Sequence, residues 1–337
     1  MAEKLQFKRL PIVPKSEALL ATAFRRASKS ASALRAVGDP LESAKRRERE
    51  RIVVAGQIIK AELSRVVEGT PSLPNLPPFY RELVDALVGI DKMRRSLGAI
   101  DGVIGVIDKL EHEHLRKLGS VKSPAEAGKV RKQAYGRMSS VIKRARPHLE
   151  FLREAVRKLA DLPSVYVDMP TAVIAGYPNV GKTTLLRQLT GSEPEIASYP
   201  FTTKGLQLGY LDRDHRRYQV IDTPGLLDRP LSKRNPIERQ AIAALNHLAD
   251  VIIFLFDPTQ TCGYEFESQL RLLQEIRRLF PKIPVIPTAN KSDLLDEALR
   301  RRVLESCPDA LFISAASGDG VEVLLERALK TLEPGKP

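Results

Sequence analysis

Cysteine and long apolar runs are what this chain most conspicuously lacks. Its 337 residues include only Cys262 and Cys307, too few for a disulfide framework and suited to a reducing compartment. No apolar stretch approaches the ~18 residues that a membrane-spanning helix requires, and the first residues carry no signal-peptide core. A soluble, intracellular, cytoplasmic protein with no membrane partner is the expectation. The length allows two domains, each with its own core.

What is present is unevenly shared. Residues 1–170 hold 33 Lys and Arg against 20 Asp and Glu, and residues 171–337 hold 21 of each, so the whole net charge of +13 sits in the first half. This asymmetry points to a polyanionic partner, with nucleic acid ahead of membrane because no lipid anchor is visible.

That basic half reads as helical. Leu83, Leu87, Ile90, Met93, Leu97, Ile100, Ile104, Ile107 and Leu110 recur at three- and four-residue steps and predict one long helix with a buried stripe. Met138, Val141, Ala145, Leu149, Leu152, Val156 and Leu159 predict a second. Two earlier helices are expected over 16–36 and 41–68. Between these pairs, the prolines at 71, 74, 77 and 78 of TPSLPNLPPFY predict a fixed, extended loop. A bundle of about four helices over residues 1–160 follows, with DLPSVYVDMP (161–170) as linker to a second domain over 171–337.

Basic residues are densest from 129 to 158. Lys129, Arg131, Lys132, Arg137, Lys143, Arg144, Arg146, Arg153, Arg157 and Lys158 face only Glu150 and Glu154 there. Like charges at i,i+4 cost helix stability unless an anion is near, so these ten residues form the candidate surface for an RNA backbone. The mixed run KRRERER (45–51) reads as merely solvated. In Glu111-His112-Glu113-His114 the alternation points the histidines apart and argues against a metal site. Gly98, Gly102 and Gly105 follow no strand and suit close helix packing, and Cys262 has no evident base beside it in sequence.

The second half carries four ordered motifs. GYPNVGKT (176–183) follows the β-branched run TAVIA (171–175) and precedes a helix expected over 182–189. Strand, glycine loop and helix N-terminus aim backbone N–H groups and the positive helix end at one point, which suits phosphate. The loop residues Gly176, Tyr177, Pro178, Asn179, Val180, Gly181, Lys182, Thr183 and Thr184 are candidates for binding. Lys182 would bridge the β- and γ-phosphates, and Thr183 would hold Mg²⁺. At average composition such a pattern arises by chance in roughly one chain in a hundred of this length, and the flanking elements make chance weaker still.

DTPG (222–225) closes a strand expected over 218–221. There Asp222 would hold Mg²⁺ through water, and the Gly225 amide would sense the γ-phosphate. NKSD (290–293) ends a strand expected over 283–289. The Asp293 carboxylate can accept from guanine N1–H and N2–H₂, which adenine cannot supply. Asn290 would contact the far edge of the base, and the Lys291 stem would lie over the nucleoside. SAASG (314–318) supplies Ser314, Ala315 and Ala316, with the Ala315 amide at guanine O6.

On these strings, together with YPFTTKGLQLGYL (199–211), QVIDTPGLLDRP (219–230) and DPTQTCGYEFESQ (257–269), the chain resembles the nucleolar GTP-binding protein family. That family is an Obg-related group of ribosome-assembly GTPases. The stretches 77–101 and 134–165 resemble its helical domain. The resemblance implies an α/β P-loop GTPase domain, its mostly parallel six-stranded sheet holding one antiparallel strand near 205–211, behind an all-α bundle. The chain stops just after a helix expected over 320–332, like a short archaeal member, so roles tied to the long C-terminal extension of eukaryotic relatives are not carried over.

The resemblance also implies a function. Expected are binding and hydrolysis of GTP to GDP, rRNA and the large-subunit precursor as partners beside ribosomal proteins or other assembly factors, and a nucleotide-dependent switch in the loops at 192–204 and 223–236. A scaffold whose nucleotide is mainly structural is the alternative. Leu226 stands where Ras-like enzymes place the water-orienting glutamine, so unaided hydrolysis should be slow. Asn179 stands where related GTPases hold K⁺ beside the phosphates, and K⁺ or a ribosomal group would supply the missing positive charge. Thr203 is the expected switch threonine that closes on Mg²⁺ and the γ-phosphate, with Thr202 its rival.

Overall fold

The computed structural model describes residues 7, 10–35, 38–199, 205–230, 232 and 234–332. The chain divides into two compact units. One comprises Arg9–Leu76 and Leu87–Ala160, the other Met1–Lys8, Pro77–Ala86 and Asp161–Pro337.

Among the described residues, six helices occupy the N-terminal stretch: α1 (Ser16–Ser32), α2 (Pro40–Glu68), α3 (Pro78–Val88), α4 (Ile90–Gly119), α5 (Pro124–Arg144) and α6 (Arg146–Leu159). The start of α2 is set by Asp39, whose carboxylate accepts from the Leu41 and Glu42 N–H groups at 3.1 and 3.2 Å, with Pro40 at the first turn. In α1, Ala23, Ala27 and Ala31 are all fully buried, and their four-residue spacing lets a neighbouring helix approach closely. Ile52, Ile59 and Leu63 of α2, Met93, Ile100 and Ile107 of α4, and Met138 and Ile142 of α5 complete that core.

Both long helices read from periodicity are in fact pairs. Gly89, at φ 75°, ends α3 and lets the chain restart as α4; a side chain there would be strained. The second stripe breaks at Ala145, where Pro147 lies in the first turn of α6 and supplies no N–H to continue α5. The basic stretch 129–158 therefore spans two helices. The proline loop is corrected too. Leu73–Asn75 form a 3₁₀ turn, and Pro78 opens α3, because a proline at the first helical position loses no hydrogen bond.

Residues 77–86 cluster with the sheet-containing unit because their apolar side chains are buried there. Phe79, Tyr80 and Leu83 have no exposure. The Tyr80 hydroxyl donates to the Pro163 carbonyl at 2.9 Å and accepts from the Val165 N–H at 3.1 Å, holding the irregular segment 161–170. Phe7 packs on the Tyr80 ring with centroids 5.3 Å apart.

The sheet contains β1 (Thr171–Ala175), β2 (Glu195–Ala197), β3 (Leu206–Arg213), β4 (Arg216–Asp222), β5 (Val251–Phe256), β6 (Val285–Ala289) and β7 (Leu311–Phe312), in the order β2-β3-β4-β1-β5-β6-β7. Strands β4, β1, β5, β6 and β7 are parallel, whereas β3 runs antiparallel to both β2 and β4. The α/β class is as expected, with the short edge strand β2 as an addition to six. Helices α7 (Lys182–Thr190), α8 (Pro236–Ala244), α9 (Phe266–Leu279), α10 (Glu297–Ser306) and α11 (Val321–Leu332) alternate with the strands. Every residue of β1 and β5 is buried, as a parallel sheet covered on both faces requires. Loops at the carboxyl ends of such strands are where this architecture holds ligands.

Candidate functional site: a phosphate cleft and a braced base loop

The loop after β1 follows a path that only glycine allows at two points. Gly176 has φ 137° and Gly181 has φ 104°. A Cβ at Gly176 would lie 2.1 Å from the Leu255 carbonyl oxygen, and one at Gly181 would lie 2.3 Å from Asn290 Nδ2. Asn179 takes φ 62°, which asparagine tolerates better than most residues. Gly181 caps α7, so the first N–H groups of that helix face the same space as the loop amides.

That space is a cleft of about 540 Å³ lined by Pro178, Asn179, Gly181, Lys182, Thr183, Thr184, Gln207, Asp222, Pro224, Gly225 and Asp228. Gly176, Tyr177 and Val180 of the same loop do not line it. Tyr177 is buried against the ring of Tyr264, with centroids 4.3 Å apart. Lys182 Nζ donates to the Gly176 and Tyr177 carbonyls at 2.9 and 2.8 Å, which stretches the ammonium along the rim of the loop.

The Thr183 hydroxyl donates to Asp222 Oδ2 at 2.7 Å, joining α7 to the end of β4. Asp222 is fully buried, and its Oδ1 has no hydrogen-bond partner. Burial pushes its carboxyl above the usual range, against the opposing pull of the Lys182 charge and the Thr183 hydroxyl. An orphaned buried carboxylate oxygen beside a hydroxyl is a donor set suited to a hard divalent cation.

The turn after β4 is held at both ends. Thr223 Oγ1 donates to the Ile174 carbonyl at 3.0 Å, and the Gly176 N–H donates to the Leu227 carbonyl at 3.1 Å. Leu226 is buried at 1% exposure, so its side chain belongs to the core rather than the cleft.

The NKSD segment (290–293) is equally braced. Asn290, at 3% exposure, donates from Nδ2 to the Val180 carbonyl at 2.7 Å and accepts at Oδ1 from the Ala315 N–H at 2.8 Å. It therefore ties the phosphate loop to the loop after β7. The Ala315 amide, expected at guanine O6, is engaged by Asn290, and Ala316 beside it is exposed. Ser314 is buried. Asp293 is exposed on a short 3₁₀ turn, Ser292–Leu294.

Sequence reasoning missed the part played by Asp257. This fully buried carboxylate accepts from Lys291 Nζ at 2.7 Å, from the hydroxyls of Thr259 and Thr261, and from the Cys262 N–H at 2.9 Å. Burial raises its carboxyl, but Lys291 and the two threonines outweigh that and hold it below the usual range. Lys291, at φ 61°, is thereby pinned across the β5 loop. The only signal in the sequence was the clustering of Asp257, Thr259 and Thr261 just after an apolar run. Thr203 and its rival Thr202 lie outside the described residues.

Nine of the ten basic residues from 129 to 158 are exposed, Arg131 being half-buried. Four of the ten have carboxylate partners. Arg131 pairs with Glu48 at 2.8 Å, Arg137 with Glu113 at 2.7 Å, Arg146 with Glu150 at 2.7 Å and Arg157 with Glu154 at 2.7 Å. Two of those carboxylates come from other helices, so the like-charge repulsion along the sequence is partly relieved within the bundle. Lys129, Lys132, Lys143, Arg144, Arg153 and Lys158 form no salt bridge among the described residues.

The model of the NOG1 N-terminal helical domain matches residues 7–166, and that of Nucleolar GTP-binding protein 1 (NOG1) matches residues 236–293. An uncharacterized protein of Methanocaldococcus jannaschii is 45% identical over 292 residues, covering 86% of this chain and 82% of its own. Nucleolar GTP-binding protein 1 of Arabidopsis thaliana is 30% identical over 331 residues, covering 97% of this chain and 49% of its own. That of Saccharomyces cerevisiae is 31% identical over 308 residues, covering 90% and 47%. The chain thus spans about half the length of these two eukaryotic relatives. Among solved structures, a nucleolar GTP-binding protein 1 of Plasmodium falciparum is 31% identical, covers 51% of this chain and 90% of its own, and superposes with a TM-score of 0.44. By its two family matches and its identity to relatives along most of its length, the chain belongs to the nucleolar GTP-binding protein family.

Proposed function

We propose that the chain binds and slowly hydrolyses GTP, and that this nucleotide switch governs attachment to rRNA during assembly of the large ribosomal subunit. The observation that carries the reading is the convergence of Lys182, Thr183, Asp222 and Gly225 on one cleft, tied through Asn290 to the loop that bears Asp293.

In this reading the loop amides and Lys182 hold the β- and γ-phosphates. Thr183 and Asp222 hold Mg²⁺, together with Thr203, and the metal supplies charge neutralisation at the phosphates. Asp293 accepts from guanine N1–H and N2–H₂, the stem of Lys291 covers the nucleoside, and the exposed Ala316 N–H meets O6 in place of the Ala315 amide, which Asn290 already engages. Buried Leu226 cannot orient the attacking water, so the chain alone is slow. K⁺ held near Asn179, or a ribosomal group, supplies the missing positive charge. Lys129, Lys132, Lys143, Arg144, Arg153 and Lys158 form the core of the RNA surface in α5 and α6, and the protein acts in the cytoplasm.

The test is the affinity for large-subunit rRNA with a non-hydrolysable GTP analogue and with GDP, measured across a salt series. A switch predicts clearly different affinities in the two states. A ratio near one supports the scaffold reading, in which nucleotide mainly stabilises the fold. Removing three of the six basic side chains should reduce the salt slope by about three. An unchanged slope would exclude this surface.

A further inference from the structure

The turn that follows Asp222 carries an anion of its own at the phosphate site. Gly225, whose N–H is the donor expected to meet a γ-phosphate, already donates that N–H to Asp228 Oδ2 at 2.8 Å. The Asp228 carboxylate is largely buried and lines the same cleft as Lys182 and Gly225. Its other oxygen accepts from Arg234 at 3.1 Å. Arg234 in turn donates to the Gly225 carbonyl at 2.7 Å and to the Leu226 carbonyl at 2.8 Å. One guanidinium thus clamps both carbonyls of the turn and the carboxylate that occupies its amide.

Arg234 is itself fixed and costly. Its side chain is 1% exposed, and its Nε has no partner. Burial holds its guanidinium below its ordinary basicity. The residue immediately after it begins a capping box, with Asn235 Oδ1 accepting from the Glu238 N–H at 2.8 Å and Glu238 Oε2 accepting from the Asn235 N–H at 3.2 Å. The start of α8 is therefore rigidly set, and Arg234 extends from it back to the turn. A backbone N–H makes one good hydrogen bond, so Gly225 cannot serve the carboxylate and a γ-phosphate at once. Two anions that close together also repel.

We propose that Asp228 is a specificity-determining residue for the terminal phosphate. Its carboxylate, backed by Arg234, stands in for the γ-phosphate at the Gly225 N–H, favours the diphosphate, and must leave before the triphosphate is fully bound. This rests on the guanine-nucleotide reading of the cleft. Arg234 acts as a positioning residue, because it reaches the cleft only through Asp228 and the turn carbonyls.

The test uses the full chain with Mg²⁺ and titrates fluorescent GDP and a fluorescent non-hydrolysable GTP analogue. Wild type is compared with Asp228→Asn, which keeps the shape and removes the charge, and with Arg234→Lys, with thermal melting to confirm folding. Wild type should bind GDP more tightly than the triphosphate analogue. Asp228→Asn should move that ratio toward the triphosphate by about tenfold or more, the scale of one charge-assisted hydrogen bond. Arg234→Lys should move it in the same direction by less. A ratio within twofold of wild type in a folded Asp228→Asn protein overturns the proposal and leaves Asp228 a turn-stabilising residue. A wild type that binds the triphosphate more tightly overturns it with no variant needed. Wild type binding neither nucleotide would instead overturn the guanine-nucleotide reading itself.

Discussion

Replacing Asn290 by alanine should disable the site without touching a phosphate ligand. The side chain makes two buried hydrogen bonds, to the Val180 carbonyl at 2.7 Å and from the Ala315 N–H at 2.8 Å. Val180 and Ala315 are both buried, at 0% and 1% exposure, so the substitution strands a carbonyl and an amide that water cannot easily reach. Each stranded group costs about 1–3 kcal/mol. Allowing for some relaxation, the folded state should lose about 2–4 kcal/mol. The loss would fall on both halves of the nucleotide site at once, since Gly181 packs directly on the asparagine amide. GDP affinity should drop by ~100-fold or more. Urea denaturation would measure the first quantity and titration with fluorescent GDP the second. A stable variant binding GDP within threefold of wild type would refute the idea that this brace assembles the site.

Other perturbations have definite signs. Burial raises the Asp222 carboxyl above its ordinary value, so the folded chain takes up that proton more readily than the unfolded one. The charged form then costs stability above the folded pKa, and the cost fades as pH falls through it. Asp222→Asn should accordingly melt higher than wild type at neutral pH without nucleotide, lose that advantage on acidification, and gain nothing from Mg²⁺ added with GDP; scanning fluorimetry across pH checks all three. For Asn179, GTP hydrolysis should be faster in K⁺ than in Na⁺, and Asn179→Ala should abolish the difference. Equal rates in the two salts for wild type would remove the proposed role.

The phosphate loop was legible in the sequence because each requirement is local. Two glycines, a lysine and a threonine at fixed spacing after an apolar strand leave few alternatives, and the loop, β1 and α7 formed where that spacing put them. The Asp228–Arg234 clamp was not legible, since its members stand six positions apart and the turn that brings them together is set by long-range ties at Thr223 and Leu227. Asp257 escaped for the same reason, its Lys291 partner being 34 residues away. Helix ends were misread where one residue overrules a periodic stripe. Gly89 and Pro147 each divide an apolar pattern that continues through them, because backbone geometry decides the break while side-chain spacing is unchanged. The short edge strand β2 has only three residues and owes its existence to pairing with β3 rather than to its own pattern.

Asp293 tests the central claim most directly, since its carboxylate is the group that would read guanine and it stands exposed at the end of the braced loop. Titrating wild type and Asp293→Asn with GDP, ADP and xanthosine diphosphate is the decisive measurement. The account predicts that wild type binds GDP at least ~100-fold more tightly than ADP, the scale of two hydrogen bonds to one ionised acceptor. Asp293→Asn should lose GDP and gain xanthosine diphosphate, whose 2-oxo group accepts where guanine donates. Comparable binding of ADP and GDP by wild type, or unchanged GDP affinity in the variant, would contradict it.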